Sequence, residues 1–423
     1  MSYTKKILPL IVIQLYLSLV LCAFTFGPWP WPISNDNPVF FYLIVCQLVM
    51  ISGYLSSKYL KPKIIPKKKF QYRKNQIFII FILSLLVSFL TLYGRTGSVN
   101  LNIFTDFSDV GENYKSTLEG RSVFVEYIRM VFSVSLFMFI PLGLYNFKNL
   151  SLKYKFLFGI SLFVHVAVYI KMGTNKGLFD LISFLPWLYL IYQFKQQNKI
   201  YYKKLLIRGF YLVFLLSLAL LFFTQSQLQR PGEVGKKAIQ DMGVSFLEAN
   251  QEKPDFVKEE YYLGYLAFTR YLTHGYYAFS QSFEIEYENT FPFGSSMFLS
   301  RKANSIFNTN YFSEKSFPGM LDKKTGWSYQ MQWHSIYSWL VSDYGPLGIL
   351  IILFILSRKL AKYWILSISN DNFMNLIKFL ILTILFFYIP ANNQIFQNAE
   401  TTILFLTLFF FRPILSKISS YSK

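Results

Sequence analysis

Apolar stretches of helical length alternate with shorter polar ones along the entire chain. Ten runs stand out, at roughly residues 7–26, 38–57, 76–93, 127–146, 156–172, 178–193, 210–224, 335–357, 376–390 and 400–414. Crossing the hydrocarbon core of a bilayer takes about 20 helical residues, and most of these runs approach that length. A helix closes its backbone hydrogen bonds within one segment, which is what such runs require in lipid. The pattern predicts an all-α integral membrane protein with about ten transmembrane helices. The first run reads as a spanning helix rather than a cleaved leader. It is long, and Gly27-Pro28-Trp29-Pro30-Trp31-Pro32 after it makes a poor cleavage site.

Two connections depart from the short-loop pattern, one over residues 94–121 and a much larger one over 225–334. The chain therefore divides into helices one to seven with the first long loop (1–224), the large loop (225–334), and helices eight to ten (335–423). Within the large loop, "YYLGYLAFTRYLTHGYYAFSQSFEIEYENTFPFGSSMF" holds enough aromatic and apolar residues to pack rather than stay disordered. From Tyr261 to Phe283 the spacing predicts one or two helices lying against the membrane. Long ordered connections of this kind usually carry function.

Charge supplies the orientation. The chain has 42 Lys and Arg against 22 Asp and Glu, a net +20, with a mean hydropathy of +0.34. With a cytoplasmic N-terminus, 25 of the 42 basic residues fall inside but only Asp371 of the 22 acids does, so the inner side carries +24 and the outer −4. This is positive-inside bias rather than a nucleic-acid footprint. It places both termini in the cytoplasm and both long loops outside. The basic stretch Lys58 to Asn75 is a topology signal that can also touch anionic headgroups. Cys22 and Cys46 lie inside apolar runs and form no CxxC pair, so they read as small apolar filler. No Walker loop, dinucleotide fingerprint or HExxH occurs, and neither a metal nor a cofactor is expected.

The polar groups that stand out all fall on the outer side of this topology: Arg95, Arg121, Arg129, Lys176, Arg230, Arg270, His274, Arg301 and His334. Lys176 lies in "YIKMGTNKGLFDLI", a tight turn between two spans. Its glycines would let a ligand approach the backbone, and the lysine would offer a point charge to phosphate. The plainer reading is a snorkelling lysine. Arg270 and His274 are four apart and share a helix face, which suits an anionic group or an ordinary surface helix. Glu126 lies three residues before Arg129 and can pair with it, so Arg121 ranks higher as a ligand. His165, inside the fifth run, reads as a bundle histidine.

The most informative stretch is "MQWHSIYSWLVSDYGPLG", residues 331–348. The apolar part that follows is too short to span alone, so the helix has to begin near Ser335. His334 then sits at the outer boundary, with Asp343 ~12 Å deeper along a straight helix and on its opposite face. The two do not form a dyad. Asp343 is expected to brace a neighbouring helix, and a neutral His334 to take a proton from a hydroxyl. A histidine that merely caps the helix is the alternative.

Four features together resemble the bacterial O-antigen and capsule repeat-unit polymerases and the related O-antigen ligases. They are about ten spans, one large late outer loop, the Gly-x-(Arg/Lys)-Gly turn at Lys176, and the His-x(n)-Gly-x-x-Gly element formed by His334, Gly345 and Gly348. The resemblance covers nearly the whole chain as topology but only two short stretches as motif. It implies a metal-independent glycosyltransferase of the GT-C type, without cofactors, in the inner membrane of a bacterium. Its substrates would be undecaprenyl-pyrophosphate-linked oligosaccharides. Its partners would be the lipid bilayer and the chain-length regulator and flippase of the same pathway, with no nucleic acid. His334 would then be catalytic, and Lys176, Arg121, Arg270 and Arg301 would bind pyrophosphate, supported by Asp343, His274, Arg95 and Arg230. Lysine at position 176, where the family often has arginine, gives up bidentate phosphate binding. Two other readings stay open: a ligase-type transferase, and a polysaccharide flippase or other transporter. Charge confined to the outer edge argues against transport.

Overall fold

The computed structural model describes residues 3–60, 74–101, 122–195, 214, 216–226, 253–329, 332–369 and 372–410. Each of the ten apolar runs carries a helix. In chain order the helices are α1 (Tyr3–Phe26), α2 (Val39–Leu55), α3 (Lys74–Thr96), α4 (Val123–Val131), α5 (Ser133–Asn146), α6 (Leu152–Lys171), α7 (Lys176–Lys195) and α8 (Leu216–Ser226). The long connection adds α9 (Glu259–Ser280), α10 (Met297–Phe307), α11 (Tyr311–Glu314) and α12 (Phe317–Thr325). The chain ends in α13 (Ile336–Ser369), α14 (Phe373–Tyr388), α15 (Gln394–Gln397) and α16 (Ala399–Phe409). No strand occurs among the described residues.

Five helices (α1, α3, α6, α7 and α13) are long and apolar enough to cross a membrane, and the pair α4–α5, bent by 60°, makes a sixth. The protein is a multi-pass membrane protein. The other four apolar runs form shorter helices, α2, α8, α14 and α16.

Side-chain placement fits lipid on one face of these helices. On α1 the buried residues after Pro9 are Leu10, Ile13, Leu17, Val20 and Phe24, a stripe of three- and four-residue steps. Ile11, Leu15 and Leu19 on the other side are exposed. In water each such leucine would forgo roughly 1.5–3 kcal/mol of burial, whereas lipid removes that loss. The same division recurs on α2, with Leu43, Cys46 and Met50 inside and Phe41, Ile44 and Leu48 outside.

The chain forms two compact units. The first comprises Met1–Pro66, Ile239–Leu366 and Ile381–Thr402. In it α2 lies so close to α13 that a Cβ on Gly53 would come within 2.4 Å of the Phe354 carbonyl oxygen. Ser357 donates to the Met50 carbonyl at 2.6 Å, and the Trp364 indole donates to Lys5 at 2.8 Å. Helix α9 was expected to lie against the membrane. It packs instead on α1 and α2 and is buried around most of its circumference. Its contacts cluster at one end of the unit: Tyr276 meets Phe24 at the end of α1, Phe279 meets Tyr42 near the start of α2, and Tyr276 also meets Tyr337 at the start of α13. The second unit comprises Lys67–Ala238, Ser367–Leu380 and Ile403–Lys423. There α3 packs on α5 and α6, and Leu92, Val164, Val168 and Met172 form a buried cluster.

Helix α13 is longer than its hydrophobic core suggests, with 34 residues and a backbone break at Gly345 (φ 60°, ψ 179°). It continues past Arg358 because Leu360, Ala361, Trp364 and Ile365 still present a buried face. The break accompanies Pro346, whose carbonyl accepts from the Tyr42 hydroxyl at 2.6 Å.

Candidate functional site

The first unit gathers Arg270, His274 and His334 into one buried neighbourhood. Helix α9 carries the first two on one face, and His334 immediately precedes α13. Glycine at 275 permits the approach: a Cβ there would lie 2.2 Å from the Pro390 carbonyl oxygen and 2.9 Å from the Ser335 nitrogen. The Ile336 amide donates to the Ile389 carbonyl at 3.2 Å, joining the start of α13 to the segment after α14. Ser335, not His334, caps α13, because its hydroxyl accepts from the Ser338 amide at 3.3 Å.

Aromatic rings wall this neighbourhood. The Arg270 guanidinium lies over the Trp29 ring at 5.6 Å, a favourable cation–π placement. Trp31 stacks on Tyr277 at 5.2 Å, Tyr277 meets Trp327 at 5.1 Å, and Trp327 meets His274 at 6.3 Å. Trp29 is tied down, its indole donating to the Leu266 carbonyl (3.1 Å) and Thr269 hydroxyl (3.2 Å). By contrast Trp31 Nε1, Trp327 Nε1, His274 Nε2 and both nitrogens of His334 are buried without a hydrogen-bond partner among the described residues. Leaving such groups unsatisfied costs about 1–3 kcal/mol each, and five of these atoms lie in this neighbourhood.

Burial sets the protonation states. It pushes the His334 imidazole down to about 3 and the Arg270 guanidinium down to about 10, which leaves Arg270 charged at neutral pH. His274 falls well below its usual value through burial, reinforced by Arg270 and His334, although a hydrogen bond to the Ala391 backbone works the other way. A neutral imidazole carries one donor and one acceptor nitrogen.

Asp343 holds the large loop rather than a neighbouring helix. Its Oδ1 accepts from the Thr290 hydroxyl (3.1 Å) and the Gly294 amide (2.9 Å), and its Oδ2 accepts from the Ser295 amide (2.8 Å). The same segment is fastened to the chain beyond α14, where Asn393 donates to the Ser295 carbonyl (3.0 Å) and Ser296 to the Phe396 carbonyl (2.5 Å). Asp343→Ala would strand three donors. A stability loss of about 3 kcal/mol or more is expected, with Asp343→Asn intermediate. The thermal midpoint of the detergent-purified protein, together with protease cutting near residue 290, measures it. An unchanged midpoint in Asp343→Ala would show that the bracing is dispensable.

The remaining candidates separate. Arg301 is exposed on α10, and Arg121 and Arg230 lie outside the described residues. In the second unit, Glu126 pairs with Arg95 at 2.5 Å, while Arg129 donates to the Thr91 hydroxyl at 3.1 Å. Glu126 thus serves a different arginine from the one sequence proximity suggested, because α3 brings Arg95 alongside. His165 packs edge-on against Phe139 and Tyr169. Lys176 opens α7 and pairs with Asp180 at 2.7 Å. The glycines of its turn have structural work: Gly173 takes φ +61°, and a Cβ on Gly177 would lie 2.2 Å from the Tyr169 ring.

Sequence reading passed over two contributors. Trp31 is named there only as part of a poor cleavage site, and the buried Asn392, Asn393 and Gln394 not at all. The polar tract "ANNQIFQNAE" between two apolar runs was the available signal. Among the described residues no group of three or more His, Cys, Asp or Glu side chains could hold a metal ion. No protein-family description, curated protein or solved structure matches the chain.

Proposed function

We propose that the protein polymerises oligosaccharide repeat units carried on undecaprenyl pyrophosphate, building O-antigen or capsular polysaccharide at the outer face of a bacterial inner membrane. The observation that carries this reading is the buried, aromatic-walled group of Arg270, His274 and His334 where the long connection meets the start of α13. Ten apolar helices, the charge asymmetry of their connections and the His334–Gly345–Gly348 spacing support it further.

In the proposed reaction an acceptor hydroxyl oxygen attacks the anomeric carbon of the donor's first sugar. The bond from that carbon to the pyrophosphate oxygen breaks, polyprenyl pyrophosphate leaves with the electron pair, and the hydroxyl proton passes to His334. A neutral imidazole has the lone pair this step needs. Burial disfavours imidazolium, so proton transfer would be tied to the arrival of phosphate charge, which stabilises the cation. Arg270 keeps a fixed positive charge nearby. Lys176, in the second unit, is proposed as a pyrophosphate ligand on its glycine-flanked turn motif alone.

Deleting the chain from its host tests the reading. Surface polysaccharide should collapse to a single repeat unit on electrophoresis. Full-length chains stranded on the lipid carrier would indicate a ligase instead, and an unaltered ladder would overturn both.

A further inference from the structure

The orphaned nitrogens of the first unit have a composition that selects among ligands. Trp31 and Trp327 each present an indole N–H, which can only donate. His274 presents its buried Nε2, one of two ring nitrogens that in the neutral form donate once and accept once between them. Neutral His334 presents one donor and one acceptor. An anion such as phosphate serves only donors, and leaves the acceptor nitrogen of a neutral His334 unmet unless that ring takes up a proton. A hydroxyl both donates and accepts, so a polyhydroxylated ligand serves every one of these groups. The surrounding rings of Tyr277 and the indoles offer the apolar walls that the C–H faces of a sugar need.

Two further features show that the arrangement is held in place. Trp31 is 9% exposed and Trp327 4%, so neither indole can turn to solvent for its partner. Pro28, Pro30 and Pro32 restrict the backbone around Trp29 and Trp31. With Trp29 anchored to α9, the short turn between α1 and α2 presents Trp31 to Tyr277 and Trp327.

We infer that Trp31, Trp327 and His274 form, with His334, a subsite for the hydroxyl groups of a saccharide. The inference rests on the glycan-polymerising reading and gives this site the sugar end of the substrate. The turn at Gly27–Pro32 is thus part of the binding machinery rather than a bare connection.

Full-length protein labelled with 5-fluorotryptophan, in nanodiscs, gives separate fluorine resonances for its seven tryptophans, assigned by single Trp→Phe variants. One titrant is the oligosaccharide released by mild acid from the host's lipid carrier, and the other is inorganic pyrophosphate. The oligosaccharide should shift Trp31 and Trp327 and leave Trp187 and Trp364 unmoved, while pyrophosphate leaves Trp31 and Trp327 in place. Trp31→Phe keeps the ring and removes the N–H, and should weaken oligosaccharide binding roughly 3- to 10-fold, the worth of one hydrogen bond. Shifts with pyrophosphate alone would make this an anion site and overturn the inference. No shift with either titrant would mean that the indoles hold water only, and would equally overturn it. If the host's chain-length ladder still depends on the protein, only the subsite has failed. If the ladder is indifferent to the protein, the polymerase reading itself has failed.

Discussion

His334→Gln and His334→Asn should each yield normally abundant, folded protein that leaves only unextended repeat units. Losing a general base costs about 10²–10⁴-fold in rate, enough to erase the polymer ladder in cells. An amide of similar size cannot take a proton near neutral pH. A capping histidine would tolerate such replacements, but the cap of α13 is Ser335, and neither His334 nitrogen has a partner to lose. Near-normal polymer from either variant, at matched protein levels, would remove His334 from the chemistry. The same residue predicts acid sensitivity. The unfolded chain takes up a proton at His334 at about pH 6.5, whereas the folded protein does so only at about 3. Between those values the unfolded state holds more protons, so His334 destabilises the fold progressively as pH falls through that window and not above it. His334→Gln should therefore flatten part of the decline in thermal midpoint between pH 6.5 and 4. An unchanged slope would contradict the buried neutral imidazole.

Lys176→Ala should also stop polymer formation, by about 10²–10³-fold if the ammonium stabilises charge developing on the leaving group. Lys176→Arg should retain part of the activity, because the charge remains even though the donor geometry changes. The pairing with Asp180 supplies the competing structural account. That pair is partly exposed and i,i+4, worth only about 0.3–0.5 kcal/mol, so its loss alone should leave both the amount of protein and the polymer unchanged. Polymer yield at matched membrane levels separates the two. Long chains from Lys176→Ala would leave the lysine a surface partner of Asp180.

Where the sequence pattern was legible, it was so for physical reasons. Helix in lipid follows from apolar length alone, so all ten runs appear as helices without any knowledge of their neighbours. Glu126 shows the limit of proximity along the chain: Arg129 is one turn away, but α3 delivers Arg95 to it. Asp343 was recognisable as a costly buried carboxylate. Its partners, Thr290, Gly294 and Ser295, lie some fifty residues earlier, and no periodicity points to them.

By itself the sequence determined the helical class, the membrane-spanning character and the short list of polar groups whose burial has to be explained. Each of these depends on local composition, which a linear reading contains. Only the tertiary structure decided that α9 lies across the ends of α1, α2 and α13, and that the buried side chains of Trp31, Trp327, His274 and His334 are neighbours. It also decided that Gly173 takes a positive φ and that Gly177 makes room for the Tyr169 ring beside Lys176. Those outcomes depend on close approaches between segments far apart in sequence, such as Gly275 against Pro390. The free energy of such contacts belongs to the packed pair and has no counterpart in either segment alone.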